Sequence, residues 1–411
     1  MTQEELEELL KDGAKDFIRL HAHEDPDLLA LKFRGNGLLP VRAIAEEIRC
    51  MKKAAVKLPE LSKYGLLYEK TSLEQASSEF TARYKAGLCK GDRIIDLTGG
   101  LGIDDIFFSG SFREVFYCEK NSILVDIFRH NLARLGIGNI RINEGDSTEM
   151  LKSFPKGYFD LIYADPARRD ESRRFIGLKS CSPDVVEILP LMLEKSQRVL
   201  IKASPAIEIE EVKKQFGPCL KEFTVVSLDN ECKEVLLFLE KDAAAPEGEP
   251  IIKSVLLDSA TGSVRIYSGK SSLKDERKVS PEILHFLYEP EGSLIKARLT
   301  KSIAEEYSLF FVNRNIDYLT SNQLKSDFPG RAFEVKNVLP YKAKEIKRYL
   351  LKEGIVSANL SRRDFPDSPE KIRKILNLKD GGDDYLFFTK NNSGKPVVIF
   401  CKKAQNIYRG E

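Results

Sequence analysis

No C-x-x-C pair occurs among the seven cysteines, which stand singly at Cys50, Cys89, Cys118, Cys181, Cys219, Cys232 and Cys401. An odd and scattered set argues against zinc, iron–sulfur and disulfide frameworks, and it suits a reducing cytoplasm. Histidine is scarce. His21 and His23 form the one close pair; it reads as surface, and no metal is expected. No apolar run approaches the roughly 20 residues of a membrane span. The opening TQEELEELLKDG is acidic and helical, unlike a signal peptide. An excess of one charge is missing too: 65 Lys and Arg face 63 Asp and Glu. Such a balance does not suggest a protein coated in nucleic acid, although a local basic patch can still steer a ligand.

What is present is a soluble, globular composition, with 42% hydrophobic and 31% charged residues. A chain of 411 residues exceeds one ordinary core and implies two or three domains. Residues 1–70 read as helical. Thr2 and Glu5 form a capping box, Asp25-Pro26 starts a helix, and another opens near Pro40 and ends before Pro59. From residue 71 strands and helices alternate: RIIDL (93–97), EVFYCE (114–119), NIRIN (139–143), FDLIYAD (159–165) and QRVLIK (197–202), with helices at 121–135 and 183–195. That alternation implies a parallel sheet covered on both faces. FTVVSLD (223–229) and EVLLFLE (234–240) are too close for anything but an antiparallel hairpin. AAAPEGEP (243–250) reads as a boundary, 251–269 as a hairpin turning at 260–263, and 281–411 as a separate α+β unit. Within that unit the expected elements are helices at 342–352 and after Ser368, and a hairpin turning at Asn391 to Gly394.

The segment IIDLTGGLGID ends a buried strand at Asp96 and opens a helix through a loop holding Thr98, Gly99, Gly100, Gly102 and Asp104. Glycines let backbone approach a ligand, and ligands of doubly wound sheets sit at the carboxyl ends of strands. A nucleoside triphosphate loop needs Gly-Lys-Ser/Thr, which is absent here. A dinucleotide loop needs a third glycine where Asp105 stands, and a carboxylate is a poor neighbour for pyrophosphate. S-adenosylmethionine (SAM) carries a sulfonium and an ammonium but no phosphate, so acids around the loop suit it. Glu119, closing the second strand, is placed for the ribose hydroxyls, and Asp146, after the third, for the adenine amine. SLEQASSEFTARY (72–84) reads as a helix with a Ser72–Gln75 capping box, or as Gln75, Ser77 and Ser78 lining the methionine end of the ligand.

The fourth strand ends in Asp165-Pro166-Ala167-Arg168-Arg169-Asp170. DLTGGLGID, Glu119, Asp146 and ADPARRD together resemble bacterial class I methyltransferases with a C-terminal THUMP-like domain. The tail resembles that domain in YEPEGSLIKARL (288–299), FPGRAFEV (328–335) and ANLSRRDFPDSPEKIRK (358–374). The resemblance implies a SAM-dependent transferase with a doubly wound, Rossmann-like, seven-stranded α/β sheet. It also implies an N-terminal helical region, a C-terminal α+β (ferredoxin-like/THUMP-like) unit, and RNA, tRNA or rRNA, as partner. The corresponding divisions are 1–70 helical, 71–275 methyltransferase, 281–335 ferredoxin-like and 336–411 THUMP-like.

Amino-group methyltransferases of nucleic acids follow Asp or Asn with Pro-Pro and an aromatic residue, and hydrogen bonds to the amine align its lone pair. Asp165 and Pro166 fit that pattern; Ala167 and Arg168 depart from it. Arg168 or Arg169 can stack a guanidinium on a base, bind phosphate, or simply pair with Asp170 and Glu171. Carbon-5 pyrimidine methylation needs a nucleophilic cysteine, and Cys181 has no activating context. Lys202, Asn230 and Glu231 are expected at the same rim as substrate contacts. In 336–379, Lys344, Lys347 and Arg348 share a helix face, as a phosphate-binding surface or as ordinary solvated surface. Beside RNA-base amine methylation stand two alternatives: methylation of a small molecule or protein, and a non-catalytic RNA-binding module.

Overall fold

The computed structural model describes residues 1–35, 39–168, 178–179, 181–241, 249–269 and 276–404. The chain divides into two units. The first holds Met1–Leu228, Lys233–Pro250 and Leu257–Ser263; the second holds Asp229–Cys232, Ile251–Leu256 and Val264–Glu411.

The first unit opens with α1 (Gln3–Leu9), α2 (Asp12–His21), α3 (Pro26–Lys32) and α4 (Val41–Lys57). Thr2 and Glu5 form the expected capping box, and Asp25 caps α3 ahead of Pro26. Leu9, Ala14, Ile18, Leu29, Ile44 and Ile48 pack into a common core. On the buried face of α4, Glu47 is 1% exposed; the Tyr68 N–H donates to its Oε2 at 3.4 Å, and Oε1 has no partner among the described residues. Burial lifts this carboxyl to about 8. A carboxyl raised in the folded state gives stability that is complete below its unfolded value near 4.5 and lost as pH rises through 8. Glu47→Gln should therefore gain on the parent protein between pH 5 and 8, by an amount on the order of 3–5 kcal/mol. Urea unfolding at both pH values checks this, and a gap that does not widen would mean Glu47 ionises freely.

The segment expected as one helix over 72–84 is two, α5 (Lys70–Gln75) and α6 (Glu79–Leu88). Ser72 and Gln75 form no capping box. Glu69 caps α5 by accepting from the Ser72 N–H, and Ser78 caps α6 by accepting from the Thr81 N–H. Two competing caps break the helix at Ala76, which is extended at ψ 158°.

The sheet follows: β1 (Gly91–Asp96), β2 (Phe112–Glu119), β3 (Ile140–Glu144), β4 (Leu161–Ala164), β5 (Ala167–Arg168), β6 (Cys181–Ser182), β7 (Arg198–Ala203), β8 (Leu220–Leu228) and β9 (Glu231–Glu240). Its helices are α7 (Ile103–Phe108), α8 (Ser122–Leu135), α9 (Ser147–Ser153), α10 (Leu189–Lys195) and α11 (Ile209–Phe216). The helix expected over 183–195 is regular only from Leu189. Within the first unit the strands lie in the order β3-β2-β1-β4-β7-β9-β8. β1 to β4 and β7 pair in parallel, and β9 runs antiparallel to β7. The strand order reverses at β1: the chain steps outward through β2 to β3, then crosses back to β4 on the other side of β1. This is the switch point at which open α/β sheets bind ligands. β5 and β6 form a two-residue antiparallel pair just past β4.

The second unit holds most of β10 (Ile251–Leu257), β11 (Val264–Gly269), β12 (Phe286–Pro290), α12 (Gly292–Lys296), α13 (Thr300–Glu306), β13 (Phe310–Asn313), β14 (Ile316–Ser321) and β15 (Gly330–Pro340). It ends with α14 (Ala343–Lys352), β16 (Asn359–Arg362), α15 (Pro369–Leu376), β17 (Asp384–Lys390) and β18 (Pro396–Lys403). Seven strands form one sheet, ordered β13-β14-β12-β15-β18-β17-β16. β15 pairs with β12 through Gly330–Glu334 and with β18 from Phe333 to Pro340, so segments 281–335 and 336–411 share a sheet.

Candidate active site

The carboxyl ends of β1, β2 and β4 open onto one cavity of about 970 Å³, at the upper end of the roughly 300–1,000 Å³ usual for ligand pockets. Its lining joins Gln75, Ser77, Asp96, Thr98, Gly99, Gly100, Gly102, Asp104 and Glu119 to Asp165, Pro166 and Lys202.

The glycine loop is shaped as much from below as from above. A Cβ on Gly99 would lie 2.2 Å from the Tyr117 ring, and one on Gly102 would lie 2.0 Å from Phe128. Tyr117 and Phe128 stack with centroids 4.3 Å apart, and the Tyr117 hydroxyl donates to the Gly100 carbonyl at 2.6 Å. Two of the three glycines are thus demanded by packing. Gly100 alone, at φ 56°, has open space where a side chain would grow.

Thr98 ties the loop to the strand ends. Its N–H and Oγ1 donate to Asp96 Oδ1 at 2.7 and 2.9 Å, and its Oγ1 accepts from the Asp165 N–H at 2.6 Å. Asp96 is 2% exposed, and burial lifts its carboxyl to about 7. Burial, followed by the neighbouring Asp96 charge, holds the fully buried Asp105 well above the usual carboxylate range. Of the two carboxyls, Asp105 is the one that burial and its neighbour's charge favour in the neutral form. Glu119 accepts from the Gly100 N–H at 2.9 Å through Oε2, and from the Lys120 and Asn121 N–H groups at 2.8 Å through Oε1.

Beneath the cavity lies a charged network that the sequence reading missed. Lys85, 0% exposed, donates to both Glu234 oxygens at 2.8 Å and to Ser77 Oγ at 3.0 Å. Ser77 donates to Asp104 Oδ2 at 2.9 Å, as does Tyr163 at 2.8 Å, and Asp104 Oδ1 lies 3.3 Å from Lys85 Nζ. Burial pulls the Asp104 carboxyl up, but Lys85 and Lys202 outweigh it and hold the group below the usual range. The one local signal was a charged residue, Glu234, directly before the apolar run VLLFL of β9; nothing in the sequence paired it with Lys85. At the far wall, Lys202 Nζ donates to Asp165 Oδ2 at 2.5 Å. Desolvation lowers the lysine, yet Asp165, Asp104 and Glu234 raise it beyond its ordinary value.

The chain matches a crystal structure of a candidate methyltransferase from Porphyromonas gingivalis W83 at 28% identity. The match covers 98% of this chain and 99% of that one, with a TM-score of 0.81. The chain has a methyltransferase fold. Residues 286–329 match a ferredoxin-like domain and 330–403 a THUMP domain-like family. Two curated relatives match over shorter stretches. YpiP of Bacillus subtilis (strain 168), an uncharacterised protein, is 33% identical over 93 residues, 20% of this chain and 36% of its own. A Pyrobaculum aerophilum protein provisionally designated a cobalt-precorrin-6B C(15)-methyltransferase (decarboxylating) is 27% identical over 92 residues, 21% of this chain and 47% of its own. The chain thus spans between about a third and a half of the length of these curated relatives.

Not every expected residue of the methyltransferase meets at the cavity. Asp146 lines a neighbouring recess with Cys118 and Gly145, where its Oδ1 caps α9 and its Oδ2 pairs with Lys120 at 2.8 Å. Ser78 is taken up by its cap. Arg168 lies in β5, and Arg169 falls outside the described residues. Asn230 and Glu231 group with the second unit, as do Lys344, Lys347 and Arg348 on α14. Cys181 is buried in β6. Among the described residues no cluster of potential metal ligands occurs, and no helix is long and apolar enough to cross a membrane.

Proposed function

We propose that this methyltransferase uses SAM to methylate an exocyclic amine of an RNA base in tRNA or rRNA. The observation that carries the reading is the single cavity shared by the glycine loop and Asp165-Pro166. The residues fit the cofactor. Asp104 lines the cavity as a carboxylate held ionised by Lys85 and Lys202, and its buried Oδ1, 3.3 Å from Lys85 Nζ, accepts no hydrogen bond among the described residues and can take one from a ligand donor. Gln75, Ser77, Asp96, Thr98, Gly99, Gly100, Gly102, Asp104 and Glu119 would hold SAM, with Asp146 beside them. When bound, SAM supplies an electrophilic methyl group, its carbon–sulfur bond breaking with the electron pair left on sulfur.

The protein's part is positioning. Asp165 is fixed twice, by the Thr98 hydroxyl at its N–H and by Lys202 at Oδ2. Its Oδ1 stays available to accept from an amine N–H and align the nitrogen lone pair. An amine that arrives neutral needs no strong base. Gly100→Arg would grow into the open space at φ 56°. It should abolish calorimetric binding of S-adenosylhomocysteine, and retained binding would move the cofactor elsewhere.

RNA as substrate is supported by the THUMP domain-like match and by α14. There Lys344, Lys347 and Arg348 are exposed and form no ion pair with a described residue, while Ile346 and Leu350 anchor the opposite face. Each phosphate contact adds about 0.7 to 0.9 to the salt slope of binding. Replacing all three by alanine should flatten the slope for total tRNA by up to about 2 to 3 units, with S-adenosylhomocysteine binding unchanged. An unchanged slope would remove α14 as the reader. The deciding test is nucleoside mass spectrometry of RNA from cells with and without the protein. Identical spectra would favour a small-molecule or protein acceptor.

A further inference from the structure

The wall of the cavity facing the glycine loop presents one hydrogen-bond acceptor and one donor side by side. Asp165 and Lys202 both line the cavity, joined through Oδ2 and Nζ at 2.5 Å. That bond uses one carboxylate oxygen and one ammonium hydrogen. Asp165 Oδ1 accepts nothing from the described residues, and two Lys202 hydrogens remain. The pair is rigid by construction. Thr98 pins the Asp165 backbone, and the Lys202 side chain is only 12% exposed on the parallel strand β7, next to β4. Burial works against its charge, but the carboxylates of Asp165, Asp104 and Glu234 outweigh it and keep the lysine a donor at any physiological pH.

An enzyme that reads an extruded base does so largely through its Watson–Crick edge. Adenine offers there an amino donor beside a ring-nitrogen acceptor, and cytosine does the same. Guanine offers its amine beside a ring N–H, which is two donors together. Set against the Asp165–Lys202 pair, the guanine amine would press its ring N–H toward an ammonium that cannot accept. A donor left facing a donor in a desolvated site loses a hydrogen bond and adds repulsion.

We propose that Lys202 is a specificity-determining residue, which with Asp165 selects the amidine edge of adenine or cytosine and rejects the amine of guanine. This rests on the reading of the cavity as an amine methyltransferase site. Asp165 Oδ1 accepts from the amino N–H, and Lys202 donates to the adjacent ring nitrogen. The amino nitrogen's lone pair forms the new nitrogen–carbon bond. One N–H proton then leaves through Asp165 Oδ1 to solvent, so the product amine is neutral. Lys202 keeps its protons throughout and acts by position.

The test uses the full-length protein, labelled SAM, and total RNA from cells that lack the protein. Nucleoside mass spectrometry names the modified base. A methylated amine of adenosine or cytidine is expected. N2-methylguanosine would overturn the proposal while leaving the amine reading intact, whereas no methylated base of any kind would defeat that reading itself. The second arm takes an oligonucleotide bearing the modified site, with the ring nitrogen replaced by C–H as 1-deazaadenine or 3-deazacytosine. The substitution should cut kcat/KM roughly ten- to a hundredfold in the parent protein, the size of one hydrogen bond to a charged group. In Lys202→Met the parent oligonucleotide should already be poor, and the deaza substitution should cost little more. Equal deaza penalties in the two proteins would show that Lys202 does not touch the ring nitrogen. Should Lys202→Met fail to fold, a parent protein indifferent to the deaza substitution would by itself overturn the proposal.

Discussion

Asp165→Ala is expected to reduce methyl transfer by about a hundredfold to ten-thousandfold, the range seen when a group that positions or relays a proton is removed. S-adenosylhomocysteine affinity should change little, because the loop contacts of Asp96, Thr98, Gly100 and Glu119 do not pass through the Asp165 side chain. The Asp165 backbone N–H, which Thr98 Oγ1 accepts, survives the substitution. Lys202 loses one partner but keeps the fields of Asp104 and Glu234, so the charge of the wall persists. Single-turnover rates and calorimetry on the same preparation separate the outcomes. Loss of both together would assign Asp165 to the cofactor and remove it as the amine acceptor.

The largest effect on stability should come from Lys85→Met. The lysine is fully buried, and its ammonium answers Glu234, 2% exposed, as well as Asp104, 8% exposed. Removing one member of such a group leaves charge stranded in a medium that solvates it poorly, at a cost of about 3–5 kcal/mol. The double variant Lys85→Met/Glu234→Leu should regain at least half of that, since most of the loss comes from the orphaned carboxylate rather than from the missing bond. Urea midpoints for the parent, both single variants and the double variant give the coupling directly. A cost under about 1 kcal/mol for Lys85→Met would mean that water or rearrangement replaces the ammonium.

These residues also mark where the sequence stops being legible. The glycine loop, the acid at Glu119 and the Asp165-Pro166 turn could be read because each is a local pattern bound to a strand end, and the sheet gathers strand ends at one edge. Thr2, Asp25 and Ser368 announced their helices for the same reason. What could not be read depends on distant partners. The pattern reveals Gly99 and Gly102 as glycines, but the reason for them lies in Tyr117 and Phe128 on other elements. Ser72 and Gln75 satisfied a capping rule that Glu69 and Ser78 overrode. Asp146 has the position expected of an adenine contact, yet its own helix and Lys120 already engage it.

The pairing of Lys85 with Glu234 joins positions 149 residues apart, and this fixes an order of assembly. Contacts of such separation close late, because the loop entropy must be met before the contact rewards it. Strand β9 lies between β7 and β8, so β8, although made earlier, joins the parallel strands only through β9. During synthesis, every strand that carries the glycine loop and Asp165 emerges before Glu234 does. Until β9 docks, the lysine under the cavity faces Asp104 alone. The ion pairs and hydrogen bonds of the floor are complete only when β9 arrives, so a nascent chain short of β9 has the motif residues but not a finished pocket.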